Sequence, residues 1–366
     1  MSRQRSFHAL TTLALCALLL GGAASEATDP PAGNVDKHRG VSWEARGEIT
    51  SEELAPLETI HANWIVQTPF GWQTTTDSPH VALALENVLW GELDEGLEAT
   101  ARWARARGIR TLLKPHIWLT RAGGEWRSDI AMRTEDDWEK WFASYRTFIL
   151  HYARLAGRVG MEGLVIGTEL HEAVKARPED WRRIIREVRE VYPGALTYAA
   201  NWYEEYRDVS FWDELDFIGI QAYFPLSTDD SKTSVADLRK GWEPHKEAIA
   251  ALQRQSRKPV LFTEIGYKST PGATREPWKW LSREEARTAP EDLEVQARAY
   301  RAFFETFWHE PWFAGAYFWK WSPPIRPGNK RFLRIATDGP GRRPDFSPRG
   351  KPAEAVLREW YGRSSP

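Results

Sequence analysis

A single (β/α)₈ barrel is the fold class this sequence predicts, on three observations. Short apolar runs alternate with amphipathic stretches eight times over. Several runs, such as Leu164-Val165-Ile166, are apolar on both faces, as strands are in a parallel sheet covered by helices. The roughly 340 residues after the first two dozen suit one barrel with enlarged loops. Two doubly wound domains would also alternate strand and helix. Against them, no G-x-G-x-x-G opens a helix and no G-x-x-x-x-G-K-S/T phosphate loop occurs.

The first 24 residues read as a secretory signal: Arg3 and Arg5, an apolar run from Ala9 to Leu20, then small residues with a cut near Ala24. An uncleaved anchor is the alternative, although the run is short for a bilayer. Cys16, the only cysteine, lies in this segment, so the exported chain is expected to fold without disulfides or a cysteine metal site. Residues 25–37, rich in Pro, Gly and Asp, read as a flexible leader, and 38–362 as the barrel.

The elements follow in order. Arg39–Trp43 is the first strand and Thr50–Ile60 an amphipathic helix. Ala62–Thr68 is the second strand, ending in the aromatic loop Pro69–Gln73. Leu93–Arg107 has helical spacing with Gly108 as its stop, and Ile109–Trp118 is the third strand. Thr134 caps a long helix to Arg158, with Asp137 three residues on. Gly163–Glu169 is the fourth strand, Glu179–Val191 a helix, and Ala195–Asn201 the fifth strand after the Pro193-Gly194 break. Tyr203–Leu215 reads as a short helix, Asp216–Tyr223 as the sixth strand and Val235–Arg257 as a helix. Pro259 opens the seventh strand, which ends at Glu264; a helix over Glu291–His309, an eighth strand over Ala314–Trp321 and a last helix over 350–361 complete the chain.

Removing Arg3 and Arg5 from 49 Lys+Arg leaves 47 against 51 Asp+Glu, a net charge of about −4. That is an ordinary solvated surface, and it argues against a nucleic-acid partner. The unusual feature is aromatic: 20 tryptophans, more than a core of this size usually takes. Most are expected to pack; those at strand ends have flat faces on which sugar rings can stack.

Active sites of such barrels lie at the C-terminal ends of the strands. Two strands end in a glutamate after a threonine, G-T-E at Glu169 and F-T-E at Glu264, on opposite sides of one cup. Close carboxylates raise each other's proton affinity, so one can hold a proton while the other is charged. Glycoside hydrolysis needs this division: an acid for the leaving oxygen and a carboxylate that attacks or activates water. A separation of about 5–5.5 Å implies retention of configuration, and about 6.5–9.5 Å inversion.

Together, G-T-E on strand 4, T-E-I-G-Y on strand 7, Tyr223 ending strand 6 and a tryptophan on strand 8 resemble the retaining barrel glycosidases of clan A. The resemblance is greatest to glycoside hydrolase family 113, the β-mannanase family, and to its gene-transfer-agent-like barrel relatives; it runs from about Arg39 to Trp321. It implies Glu169 as acid/base, Glu264 as nucleophile, Tyr223 orienting Glu264, and Trp319 flooring the sugar at the cleavage point. It also implies a β-linked oligo- or polysaccharide substrate and no cofactor. Most of the clan carries asparagine just before the acid/base. Here that position is Thr168, whose hydroxyl reaches less far toward a sugar 2-hydroxyl, which leaves the sugar open.

Supporting positions carry two readings each. His116 and Asn201, at strand ends, either bond sugar hydroxyls or are satisfied internally, His116 by a backbone carbonyl. Trp43, Trp72, Trp118, Trp202 and Trp321 either stack on sugars or pack. His171, two residues after Glu169, raises a metal reading that lacks H-x-H or H-E-x-x-H spacing. Trp278 and Trp280 belong to a loop expected to cap the cleft. The functional readings are therefore an exported retaining hydrolase of β-glycans, mannan foremost, a non-catalytic carbohydrate-binding barrel, and a metal-dependent hydrolase.

Overall fold

The computed structural model describes residues 36–83, 88–228, 233–282, 284–323 and 344–363; the expected signal and most of the expected leader lie outside them. The strands in chain order are β1 (His38–Trp43), β2 (Trp64–Gln67), β3 (Phe70–Gln73), β4 (Ala82–Leu83), β5 (Arg110–Leu113), β6 (His116–Leu119), β7 (Gly163–Thr168), β8 (Ala195–Asn201), β9 (Phe217–Gln221), β10 (Val260–Ile265) and β11 (Phe313–Trp321). Eight of them close a parallel barrel in the order β1-β11-β10-β9-β8-β7-β5-β2. The chain is a (β/α)₈ barrel.

The other three strands form a small sheet, β4-β3-β6, which corrects the expected third strand. The run Ile109–Trp118 is two strands broken at Lys114-Pro115, and Pro69 stands at the matching break between β2 and β3. Proline has no N–H to give a sheet, so both chains leave the barrel ladder together. They pair again as Phe70 opposite His116 and Trp72 opposite Trp118. This places His116 and Trp118 beyond the barrel rim.

Helices Asp94–Ala106, Glu135–Val159, Pro178–Val191, Val235–Ser256, Leu293–Phe307 and Pro352–Tyr361 lie near their expected bounds. Thr134 caps the second, its hydroxyl accepting from the Asp137 N–H at 3.2 Å. Two expected helices are shorter. Thr50–Ile60 is a 3₁₀ turn and five helical residues, and Tyr203–Leu215 holds only Glu205–Asp208 and a 3₁₀ turn at Trp212–Glu214. A helix at His171–Ala176 follows Glu169 directly.

Trp141, Trp181 and Trp242 are fully buried against the outer face of the sheet, where the packing reading of the tryptophans holds. Inside the barrel, Trp64, Val66, Leu112, Val165, Leu261 and Tyr317 form a separate plug. His38 stacks on Trp64 with ring centroids 4.0 Å apart and its Nδ1 lies 2.9 Å from the Tyr317 hydroxyl, which closes the bottom of the barrel.

Candidate active site

At the other end of the barrel a cleft of about 830 Å³ is lined by residues from β1, β3, β6, β8, β9, β10, β11 and the loops that follow the strands. Glu169 and Glu264 both face it, and both are buried. Their surroundings differ. The Glu264 carboxylate accepts from the Tyr223 hydroxyl on Oε1, and on Oε2 from Lys114 Nζ at 2.6 Å and Gln221 Nε2 at 3.1 Å. Three donors, one of them a buried cation, fix the carboxylate in a single orientation.

Glu169 sits one residue past β7 with a φ of 53°, in the left-handed region that a non-glycine side chain adopts only under strain. Its own N–H donates to Ala199 O at 2.9 Å, and the next residue's N–H to the Tyr198 hydroxyl at 2.7 Å. Tyr198 in turn donates to Glu205 at 2.5 Å. Gly167 makes room for this support, because a Cβ there would lie 2.7 Å from the Tyr198 ring and 2.9 Å from Trp181. Among the described residues the Glu169 side chain accepts only on Oε2, from Trp126 Nε1 at 2.8 Å and Arg127 Nη1 at 3.4 Å. Burial, first, and the Glu264 charge push its pKa above the usual carboxylate range; Arg127 opposes them. The two carboxyls therefore sit in unlike surroundings: Glu264 is held by three donors, and Glu169 is made a weaker acid by burial.

The model of Glycoside Hydrolase Family 113 matches residues 37–331. The chain belongs to that family. It is a glycoside hydrolase. Two β-mannanase structures of Family 113 are each 26% identical to it with a TM-score of 0.73, the alignments covering 90% of this chain and 99% of theirs. One is a complex of a β-1,4-mannanase; the other is AaManA from Alicyclobacillus acidocaldarius in complex with ManMIm. A Faecalibacterium prausnitzii β-glucuronidase, 15% identical with a TM-score of 0.52 over 89% of this chain and 49% of its own, shares the fold. No curated protein matches the sequence.

In this Family 113 cleft most of the expected residues converge. Trp43, Trp72, His116, Trp118, Asn201, Trp202, Tyr223 and Trp319 all line it, as do Trp278 and Trp280 of the expected capping loop. Among the described residues, the large apolar side chains that remain exposed are Trp118, Trp126, Tyr203, Trp278 and Trp280, and every one borders the cleft. Trp202 and Trp278 stack with centroids 4.9 Å apart. Asn201 is partly committed, its Oδ1 accepting from the Tyr203 N–H at 3.0 Å.

His116 follows neither expected pattern in full. Its Nδ1 lies 3.0 Å from Arg127 Nη1, not against a carbonyl. Arginine only donates, so Nδ1 accepts and the proton resides on Nε2, which is buried with no partner among the described residues. Burial, Arg127 and Lys114 hold the ring well below its ordinary pKa, so His116 is a neutral donor at the cleft wall. Trp319 Nε1 is a second buried donor without a partner among the described residues.

Two expectations are corrected. Thr168 does not line the cleft; its hydroxyl donates to Pro115 O at 3.2 Å. Trp321 is buried in the outer core. Along β11, Val41 pairs with Phe318 but Trp43 with Trp321, so β11 holds one extra residue there. That bulge reverses the side-chain alternation between Trp319, which faces the cleft, and Trp321, which does not. His171 is bonded to Asp208 at 2.6 Å, and among the described residues no three His, Cys, Asp or Glu side chains gather as a metal site.

Lys114, Trp126, Arg127 and Gln221 were not foreseen. Lys114 and Gln221 carried a signal, a charge just after the apolar Leu112-Leu113 and an amide at the end of an apolar strand, which burial obliges to find partners. Trp126 and Arg127 lie in an irregular loop with no periodic pattern to place them. A charged cluster on the β1 side was also missed: Glu44 accepts from Lys320 at 2.9 Å, Arg46 at 3.0 Å and Ser322 at 2.9 Å. Nearby Glu92 is pushed up to about 8, by burial first and then by Glu44.

Proposed function

We propose that this glycoside hydrolase cleaves β-1,4-linked mannan-type glycans with retention, Glu264 attacking the anomeric carbon and Glu169 serving first as acid and then as base. The contrast between the two carboxyls carries this reading. Double displacement needs a charged, oriented nucleophile and a protonated partner on the same cleft; the three donors on Glu264 and the raised pKa of Glu169 support that assignment in that order. Glu169 gives its proton to the departing glycosidic oxygen as Glu264 forms a bond to the anomeric carbon. It then takes a proton from the water that breaks that bond.

Binding is divided along the cleft. Trp319 and the His116 Nε2–H serve the sugar at the cleavage point. The Trp202–Trp278 stack and the Trp72–Trp118 side provide apolar faces on the two flanks, which suits an internal stretch of polymer. The mannan substrate is supported by the named activity of the Family 113 structures at 26% identity. Export is supported by the signal pattern of the first 24 residues.

The test is product release from β-1,4-mannan, glucan and xylan oligosaccharides by the protein beside Glu264→Ala. Cleavage of the mannan fragments by the parent and of none by the variant is expected. Equal cleavage by both would remove Glu264 from the role of nucleophile; binding without cleavage by either would favour a carbohydrate-binding barrel. N-terminal sequencing of the exported protein tests the cut near Ala24.

A further inference from the structure

The floor of the cleft holds two buried cations as well as two buried carboxyls. Lys114 is completely buried and pairs tightly with Glu264, 2.6 Å away. Arg127 is also buried, and its nearest carboxylate oxygen is Glu169 Oε2 at 3.4 Å, longer than the 2.7–2.9 Å or so of a good charge-assisted bond. The guanidinium lies over the Trp126 ring at 4.2 Å and against His116 Nδ1, and its Nε has no partner among the described residues. Burying a second cation without a close carboxylate partner is costly, and burial lowers the pKa of Arg127.

The two half-reactions give that cation a use. This step rests on the double displacement proposed above. Before attack the negative charge is on Glu264, beside Lys114. Attack converts Glu264 into a neutral ester while the Glu169 proton leaves on the glycosidic oxygen, so the charge moves to Glu169, beside Arg127. Water then attacks the anomeric carbon, its proton returns to Glu169, the ester bond breaks, and the charge returns to Glu264. The buried site keeps the same net charge throughout. We propose that Arg127, moored with Trp126 on the loop after β6, is the counter-ion of Glu169 in the glycosyl-enzyme, a positioning residue for the second half of the reaction as Lys114 is for the first.

The charged or titratable groups that face Glu169 are Arg127, Glu264, Lys114, Glu205 and Tyr223, with His116 beside Arg127. Once Glu264 is esterified, Arg127 and Lys114 are the cations left to the anion, and only Arg127 reaches its oxygen. The loop is anchored for the purpose: the N–H of Thr120 bonds Gln73 O and that of Arg121 bonds Thr74 O, both at 2.9 Å, and Thr76 Oγ1 bonds Glu125 at 2.8 Å.

The test compares the parent with Arg127→Gln, Arg127→Lys and Trp126→Phe on a dinitrophenyl β-manno-oligosaccharide and on an unactivated one. Dinitrophenolate leaves without protonation, so release of the sugar limits turnover and Glu169 must be ionised. Arg127→Gln is expected to lower kcat on the activated substrate by about 10- to 100-fold, with a burst of close to one dinitrophenolate per enzyme. The acidic limb of kcat should move to higher pH by about one unit or more, because the cation that favoured the anion is gone. Arg127→Lys should restore most of the rate, and Trp126→Phe should move the limb in the same direction by less. Equal losses on both substrates with no burst and unmoved limbs would overturn the proposal and leave Arg127 a packing residue. If Arg127→Gln fails to fold, the limb of Trp126→Phe decides. A parent enzyme that cleaves neither substrate would instead overturn the double displacement itself.

Discussion

Replacing Glu169 by glutamine separates chemistry from folding because the two depend on different atoms. Trp126 and Arg127 both donate to one oxygen, Oε2, which the glutamine amide oxygen can replace, so the hydrogen bonds that hold the side chain are kept. What is lost is the proton. General acid catalysis contributes about 10²–10⁴-fold, or roughly 3–5 kcal/mol of barrier, so kcat/KM on an unactivated manno-oligosaccharide should fall by that factor. On a dinitrophenyl glycoside the first step needs no acid, and kcat/KM should stay within about tenfold of the parent. Stability moves the other way. The pKa of Glu169 is raised in the fold by burial and by Glu264, so the native state binds more protons than the unfolded chain and loses stability as pH rises through that interval. Glu169→Gln should therefore raise the thermal midpoint near neutral pH, and the gain should vanish in acid below the ordinary carboxylate pKa. Kinetics on both substrates and calorimetry from acid to neutral pH check this. An equal loss of kcat/KM on both substrates, or a midpoint lowered at every pH, would refute the assignment of Glu169 as a buried acid.

Three further outcomes are expected. Tyr223→Phe removes the hydroxyl donor on Glu264 Oε1 and leaves Lys114 and Gln221 on the other oxygen; kcat should drop by about 10²-fold with little change in thermal midpoint, and an unchanged kcat would take Tyr223 out of the site. Gly167→Ala drives a methyl into Tyr198 and Trp181, at a cost of about 1–3 kcal/mol, and should reduce activity through Glu169; urea unfolding beside kinetics measures both, and parent-like values would show that the rings can move. Glu205, pushed up from 4.5 to about 8 by burial, binds a proton in the fold that the unfolded chain has already released. Its contribution is present below about pH 4.5 and declines by up to about 5 kcal/mol as pH rises through 8. Glu205→Gln should flatten the midpoint between those pH values, and a parent-like slope would contradict the pKa.

The barrel was legible because period-2 and period-3.6 patterns act on whole segments. β7 and β10 are apolar on both faces in the sequence and buried at every position in the fold. The convergence of the two carboxyls was legible for a related reason: a carboxylate closing an apolar strand has few places to go, and Glu169 and Glu264 face one cleft. Trp321 was misread because one extra residue in β11 changes which face a side chain takes, and alternation counted from sequence carries no sign of a bulge. The third strand was read through Lys114-Pro115 as continuous, although the proline marked the break. Trp126 and Arg127 could not be found at all. Their place beside Glu169 is set by loop hydrogen bonds to Gln73 and Thr74, some fifty residues away, which composition and periodicity do not record.

The central claim is that Glu264 forms the covalent intermediate. It is tested most directly by treating the enzyme with a 2-deoxy-2-fluoro β-mannosyl fluoride, whose fluorine slows release of the sugar, and by mapping the labelled peptide by mass spectrometry. The account predicts one sugar per chain, attached to Glu264, and an unlabelled Glu264→Ala variant. A label on Glu169, or turnover with inversion at the anomeric carbon and no label, would contradict it.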